Sequence, residues 1–171
     1  MKVGLISLAL MLMVTTGLQA EGRAWFSFNE GILKAKKENK HIVIDFYTDW
    51  CGWCKKMDKD TFSAPTVEKY LFDNFVPIRI NAENATEKLQ FKGKTYTPVQ
   101  LTRAFQVTGY PSIAFLTPGL EVVAVIPGYI EKDMFMNLLR YMISESYKSK
   151  MTLEEFLKKE AGQKKSSPLN K

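Results

Sequence analysis

The chain of 171 residues contains two cysteines, Cys51 and Cys54, separated by Gly52 and Trp53 in the stretch DFYTDWCGWCKKMDKDTF. Two thiols at this spacing can close a small disulfide ring, hold a metal, or exchange electrons with another disulfide. A structural zinc site takes four ligands, and the sequence offers these two thiols and one histidine. A ring this small removes little entropy from the unfolded chain, so it is a weak staple. Thiol–disulfide exchange is the chemistry left to the pair.

Exchange needs one sulfur as a thiolate. A helix starting at the cysteines places Cys51 among unpaired backbone N–H groups at the positive end of the helix dipole. A thiol there falls from a pKa of about 8.5 into the range of about 3.5 to 7.5. Cys54, one turn further in, is expected to be covered and protonated. Cys51 then attacks and Cys54 resolves. Lys55 and Lys56 follow the pair and are expected to face solvent. Ahead of it, HIVIDFY (41–47) is the continuous apolar run of a strand buried on both faces of a mostly parallel sheet. Asp45 lies inside that run. A carboxylate among Ile42, Val43, Ile44 and Phe46 is costly without a task, and desolvation lifts its pKa toward neutrality. The alternative is a hydrogen-bonded structural acid.

Around these residues the pattern is that of one α/β sheet with helices on both faces. Ser27 and Glu30 have capping-box spacing, so a helix is expected from Phe28 to before His41. His41 itself reads as a surface residue at a strand end. The helix at the cysteines should run to about Asp60, and SAPTVEKYLFDNF should form another, with Pro65 in its first turn. FVPIRINAE (75–83) reads as a strand starting properly at Ile78, because Pro77 is awkward in a sheet centre. Residues 84–97 read as a loop, 98–107 as a helix, 112–116 as a strand, and 121–126 as its hairpin partner after a Pro118-Gly119 turn. Phe135, Leu138, Leu139, Met142 and Ile143 fall on one face of a closing helix. Met134 and Met142 are assigned to its core and Met136 to its flank, which explains these methionines without a copper site. A last helix is expected from Thr152 to Gly162, followed by a disordered basic tail.

The first twenty residues, MKVGLISLALMLMVTTGLQA, have one lysine, a long uncharged apolar run and a small residue at the end. That is the layout of a secretory signal peptide; an uncleaved membrane anchor is the alternative. The division expected is therefore a signal peptide at 1–20, a catalytic domain at 21–147, and a C-terminal helix and tail at 148–171. Losing Lys2 lowers the formal charge from +6 to +5. About +3 of this lies after Ser144, where seven lysines meet four glutamates without interleaved aromatic residues. A solvated helix accounts for that charge better than nucleic-acid binding. Asn84-Ala85-Thr86 is a glycosylation sequon, relevant only in a eukaryotic secretory pathway.

The motif DxYxDWCxxCK at 45–55, the segment TFSAPTV after it, and GYPS at 109–112 together resemble the thioredoxin-fold thiol:disulfide oxidoreductases. Within them the chain looks most like exported thioredoxin-like proteins related to the C-terminal domain of the electron-transfer protein DsbD. The resemblance covers about residues 40–145. It implies a thioredoxin-like fold, a central mixed sheet with helices on both faces; the flanking N-terminal and C-terminal helices lie outside it. It implies Cys51 as nucleophile, Cys54 as resolving thiol, and Asp45 as the acid that moves the resolving thiol's proton. It also implies a cis peptide bond before Pro111, against the alternative of an ordinary trans turn. The backbone of Tyr110 is then left to pair with an extended substrate segment. Trp50 is either an apolar platform for substrates or a packing residue. Trp53 stands where classical thioredoxins have proline.

The direction of electron flow is set by redox potential. Oxidants of this fold reach about −120 mV and thioredoxin lies at about −270 mV, a gap of about 7 kcal/mol. Gly52-Trp53 brings neither histidine nor charge between the sulfurs, which favours a reductant. The sequence shows no nicotinamide or flavin motif, so no cofactor is expected. The reading is an exported, periplasmic reductase of protein disulfides, recharged by a membrane-embedded donor. A disulfide oxidase or isomerase on the same fold is an alternative. A metal or haem-apoprotein chaperone that uses the pair for binding is another.

Overall fold

The computed structural model describes residues 23–166. The expected export segment at 1–20 and the end of the tail lie outside the described residues. The elements run in order α1 (Phe28–Glu38), β1 (His41–Tyr47), α2 (Gly52–Met57), α3 (Pro65–Asn74), β2 (Phe75–Asn81), β3 (Leu89–Phe91), β4 (Lys94–Tyr96), α4 (Pro98–Ala104), β5 (Ser112–Leu116), β6 (Val122–Pro127), α5 (Lys132–Ile143) and α6 (Leu153–Ser166). The main sheet has the order β2-β1-β5-β6, with β1 parallel to β2 and antiparallel to β5, and β6 antiparallel to β5. It is the mixed sheet expected.

The period of two along β1 divides the core. Ile42, Ile44 and Phe46 face a cluster built with α1, β2 and α4 through Phe28, Ile32, Val76, Ile78 and Leu101. Val43 faces the other cluster, with Met57, Phe62, Val67, Leu71, Phe135 and Leu139. Asp45, two residues on from Val43, therefore points to the second face, the one covered by the helix that carries the cysteines.

Several elements differ from the sequence reading. Pro77 lies inside β2, which begins at Phe75. β2 is an edge strand of the ladder, and the Pro77 carbonyl points outward to accept the Phe26 N–H at 2.9 Å. The missing proline donor thus faces away from β1, where it breaks no ladder bond. Residues 84–97 are not a plain loop: β3 and β4 form a hairpin around Lys92 and Gly93, both at positive φ (48° and 78°). That is the geometry of a two-residue turn of the hairpin-favouring hand. After α2 the chain widens into a π turn over Asp58–Phe62, so the helix ends later than Asp60. α6 continues past Gly162 to Ser166. A single helical glycine costs only about 1 kcal/mol, and the Gln and Lys residues after it are good helix formers.

His41 is buried, not on the surface, with Nε2 3.0 Å from the Tyr147 hydroxyl and 3.6 Å from Glu145. A 3-10 turn at Ser146–Ser149 folds back over the strand end to cover it. On α5, Phe135, Leu139 and Met142 are buried, but Met134 is 46% exposed and Ile143 36%. Met136, assigned to the flank, packs against the core instead.

Candidate active site

The turn before α2 starts with the Cys51 N–H donating to the Thr48 carbonyl at 3.2 Å. Cys51 then takes the N-cap position with extended backbone (φ −69°, ψ 102°), and its sulfur accepts the Cys54 N–H at 3.0 Å. The sequence places the sulfur where the helix leaves donors unpaired, and the structure puts it there. The two cysteines form a disulfide with their Cα atoms 5.3 Å apart. Both are covered, Cys51 at 3% and Cys54 at 5% exposure, so in this oxidised state the first is no more open than the second. Lys55 and Lys56 face solvent as expected, and Lys56 pairs with Asp60 at 2.5 Å.

Around the pair the surface is aromatic. Trp50 and Trp53 are 66% and 59% exposed. The Trp50 ring stands edge-on to Tyr110 with centroids 6.2 Å apart, and its Nε1 donates to Glu83 at 2.9 Å. Trp53 lies against Tyr129 at 5.6 Å. Trp53, Tyr110, Gly128 and Tyr129 line an open groove of about 340 Å³. The Tyr110–Pro111 peptide bond is cis. The Pro111 carbonyl is held by the Gly128 N–H at 2.8 Å, and Ser112 Oγ donates to the Gly109 carbonyl at 2.7 Å. These bonds fix the loop that presents Tyr110 beside Trp50.

On the face of β1 that packs against Met57 of α2 lies an ionic cluster. Asp45 is 2% exposed and accepts from Arg79 Nε at 3.0 Å. Arg79 reaches with its Nη2 to Asp58 in the π turn. Burial pushes the Asp45 carboxyl up to about 7; the Arg79 charge opposes this and the Asp58 charge adds to it. A carboxyl poised there can both take and give a proton near neutral pH.

The structure thus brings Trp50 and Tyr110 into contact beside the cysteines, sets Trp53 in one groove with Tyr110, and buries Asp45 on β1 against Arg79. Sequence reading missed Arg79, Asp58, Glu83 and Tyr129. A charged residue in the middle of FVPIRIN was the signal for Arg79, since such a side chain needs a buried or stacked partner. Asp58 could be anticipated one turn after Cys54, but its pairing depends on the π turn.

A family model for the thioredoxin-like domain matches residues 28–143. The chain belongs to the thioredoxin-like family. Over 95 residues it is 36% identical to the thiol:disulfide interchange protein DsbD of Salmonella typhimurium, across 54% of this chain and 14% of that protein. To DsbD of Escherichia coli it is 31% identical over 115 residues, across 66% of this chain and 18% of that protein. The chain spans less than a fifth of the length of these curated relatives. Among solved structures it is similar to a thioredoxin from Thermus thermophilus, with a TM-score of 0.58 and 22% identity, covering 71% of this chain and 87% of the other. It is also similar to a thioredoxin-fold protein from Helicobacter pylori, with a TM-score of 0.61 and 19% identity, covering 71% and 80%. These structural likenesses show the fold. As a thioredoxin-like chain with a Cys-X-X-Cys pair, it groups with thiol:disulfide oxidoreductases.

Proposed function

We propose that this chain is an exported thiol:disulfide oxidoreductase that reduces protein disulfides through Cys51 and Cys54. The observation that carries the reading is the Cys51 sulfur at the N-cap of α2, accepting a backbone N–H; a buried carboxyl with a pKa near neutrality, Asp45 on β1, supports it. In the reduced protein the same donors stabilise a Cys51 thiolate.

The cycle has two displacements. The Cys51 thiolate attacks one sulfur of a substrate disulfide; a Cys51–substrate bond forms, and the second substrate sulfur leaves as a thiolate that takes up a proton. Asp45, as carboxylate, accepts the proton of the Cys54 thiol. The Cys54 thiolate then attacks Cys51, and a Cys51–Cys54 bond forms as the mixed disulfide breaks. The first substrate sulfur leaves as a thiolate that takes up a proton, while Asp45 gives up its own and returns to the carboxylate. The substrate disulfide has gained two electrons and become two thiols, and the Cys51–Cys54 disulfide has formed. An extended substrate segment lies along the Tyr110 backbone, with Trp50, Trp53 and Pro111 forming the apolar surroundings.

Direction and place follow from the sequence. With Gly52-Trp53 between the sulfurs, no added donor favours the reduced form, so the pair is reducing. Residues 1–20 direct export to the periplasm, residues 21–147 form the catalytic unit, and the remainder is an appended helix and tail. An oxidised pair in that compartment is recharged by a membrane-embedded electron donor, and the substrates are disulfide-bearing proteins; similarity to part of DsbD supports both.

Equilibration of the purified protein with glutathione buffers tests the direction. A potential below about −180 mV supports a reductant, and one above it overturns this reading. A Cys54→Ser variant should accumulate mixed disulfides with its substrates through Cys51; recovery of none would remove turnover through this pair.

A further inference from the structure

The segment before α1 is tied to the sheet by two backbone bonds, Phe26 N–H to the Pro77 carbonyl at 2.9 Å and the Arg79 N–H to the Phe26 carbonyl at 3.1 Å. Neighbouring residues on extended backbone point to opposite faces. Phe26 accordingly packs into the α1 cluster, and Trp25 into the cluster of Phe62 and Phe135. There the Trp25 ring lies 4.5 Å from the Arg79 guanidinium carbon, with Tyr47 at 5.5 Å and Phe62 at 5.7 Å. Trp25 is held in turn by Phe62, with ring centroids 4.8 Å apart, and by Phe72 at 6.3 Å.

Arg79 is thus shared by two carboxylates of unlike exposure. Its Nε serves Asp45, whose side chain is 3% exposed, and its Nη2 serves Asp58, whose side chain is 45% exposed. Water and the more exposed carboxylate both draw the guanidinium outward. The ring face of Trp25 attracts the cation and holds it in place.

We propose that Trp25 is a positioning residue for proton transfer: it locks Arg79 in the orientation that binds Asp45. This rests on the reading of Asp45 as the proton carrier of the Cys51–Cys54 pair. Without the ring, Arg79 turns toward Asp58 and solvent, and Asp45 loses its counter-ion. The proton on Asp45 is then held more tightly, and the carboxylate that receives the Cys54 proton becomes scarcer at neutral pH. In the oxidised protein the cysteines are joined and do not titrate. Among the described residues the other titratable groups that interact with Asp45 are Asp58 on the π turn and Tyr47 on its own strand, and its partner on β5, Ile113, is apolar.

The test follows the ionisation of Asp45 in the oxidised full chain, by carboxyl-carbon NMR or infrared titration. Trp25→Leu keeps an apolar side chain against Phe62 and Phe72 while removing the ring face. It should raise the Asp45 midpoint by about half to one pH unit, whereas Trp25→Phe should stay close to wild type. Arg79→Met should raise the midpoint further, and adding Trp25→Leu to it should change nothing more, because Trp25 acts through Arg79. An unchanged or lowered midpoint in Trp25→Leu, or a shift that adds to that of Arg79→Met, overturns the proposal. The measurement involves no turnover. A protein whose Asp45 follows Trp25 in this way but which reduces no disulfide would overturn the functional reading and leave only the coupling of Trp25 to Asp45 through Arg79 standing.

Discussion

Arg79 reaches Asp45 across one rung of the sheet. The two are register partners on β2 and β1, and Arg79 Nε lies 3.0 Å from Asp45 Oδ2. The other carboxylate oxygen, Oδ1, is buried and accepts no hydrogen bond among the described residues. One oxygen is committed to the ion pair, and the other has a free lone pair for a proton.

The first expectation concerns rate. Asp45 has a pKa of about 7, so its carboxylate fraction grows through neutrality. Release of a chromophoric thiol from a Cys51 mixed disulfide should accelerate with pH about a midpoint near 7. Asp45→Asn should remove that rise and slow release by about 10²-fold. Stopped-flow absorbance checks both; a variant with the wild-type profile would exclude Asp45 from the step.

The same group sets a stability gradient. In the unfolded chain the carboxyl loses its proton near 3.8, while in the fold it keeps it to about 7. Between these values the folded state binds more protons, so stability falls as pH rises, and the loss is complete above about 7. Its upper limit is about 4 kcal/mol. Asp45→Asn should therefore be more stable than wild type at pH 8, by roughly 1–3 kcal/mol after losing the Arg79 bond, with a much smaller difference at pH 5. Urea unfolding at the two pH values measures this.

Trp53 is 59% exposed and contacts Tyr129 in the groove beside Tyr110. Little of the fold depends on it. Trp53→Ala should leave unfolding free energy within about 0.5 kcal/mol, as for other exposed sites. It should raise KM for a protein disulfide about 5-fold or more, in keeping with the role of exposed aromatic anchors. An unchanged KM would place substrates elsewhere.

Gly31 marks a close approach of α1 to β2. A β-carbon there would overlap Ile78 Cγ1 and lie 2.6 Å from Ile78 Cδ1 and 3.3 Å from Phe26 Cβ. Ile78 is fully buried and has no room to retreat. Gly31→Ala should destabilise by about 1–3 kcal/mol despite alanine's better helix propensity. Thermal unfolding is the measurement.

Much of this was legible in the sequence because it rests on local rules. The run at 41–47 is apolar on both faces, and β1 is central in the sheet. The cysteine spacing marked the start of α2; the cis bond before Pro111, by contrast, was expected only from the family resemblance, since GYPS read alone also allowed a trans turn. What escaped was longer in range. Pro77 fits its strand because the neighbour on that side is Phe26, some fifty residues earlier. The hairpin at 89–96 turns on Lys92 at positive φ, a residue that seldom signals such a turn. The Asp45–Arg79–Asp58 cluster needs the sheet register and the π turn together. Neither shows in periodicity.

The two bonds that hold Phe26 against β2 have a consequence for how the chain tolerates insertion. They are backbone bonds, indifferent to side chain, yet they decide which of two adjacent aromatic rings meets the guanidinium. A slip of one residue ahead of Ser27 would keep the bridge and exchange the faces. The indole would be turned toward α1, and alanine or phenylalanine would stand over the cation. The spacing between Trp25 and the helix start is therefore as exacting as the spacing between the two sulfurs.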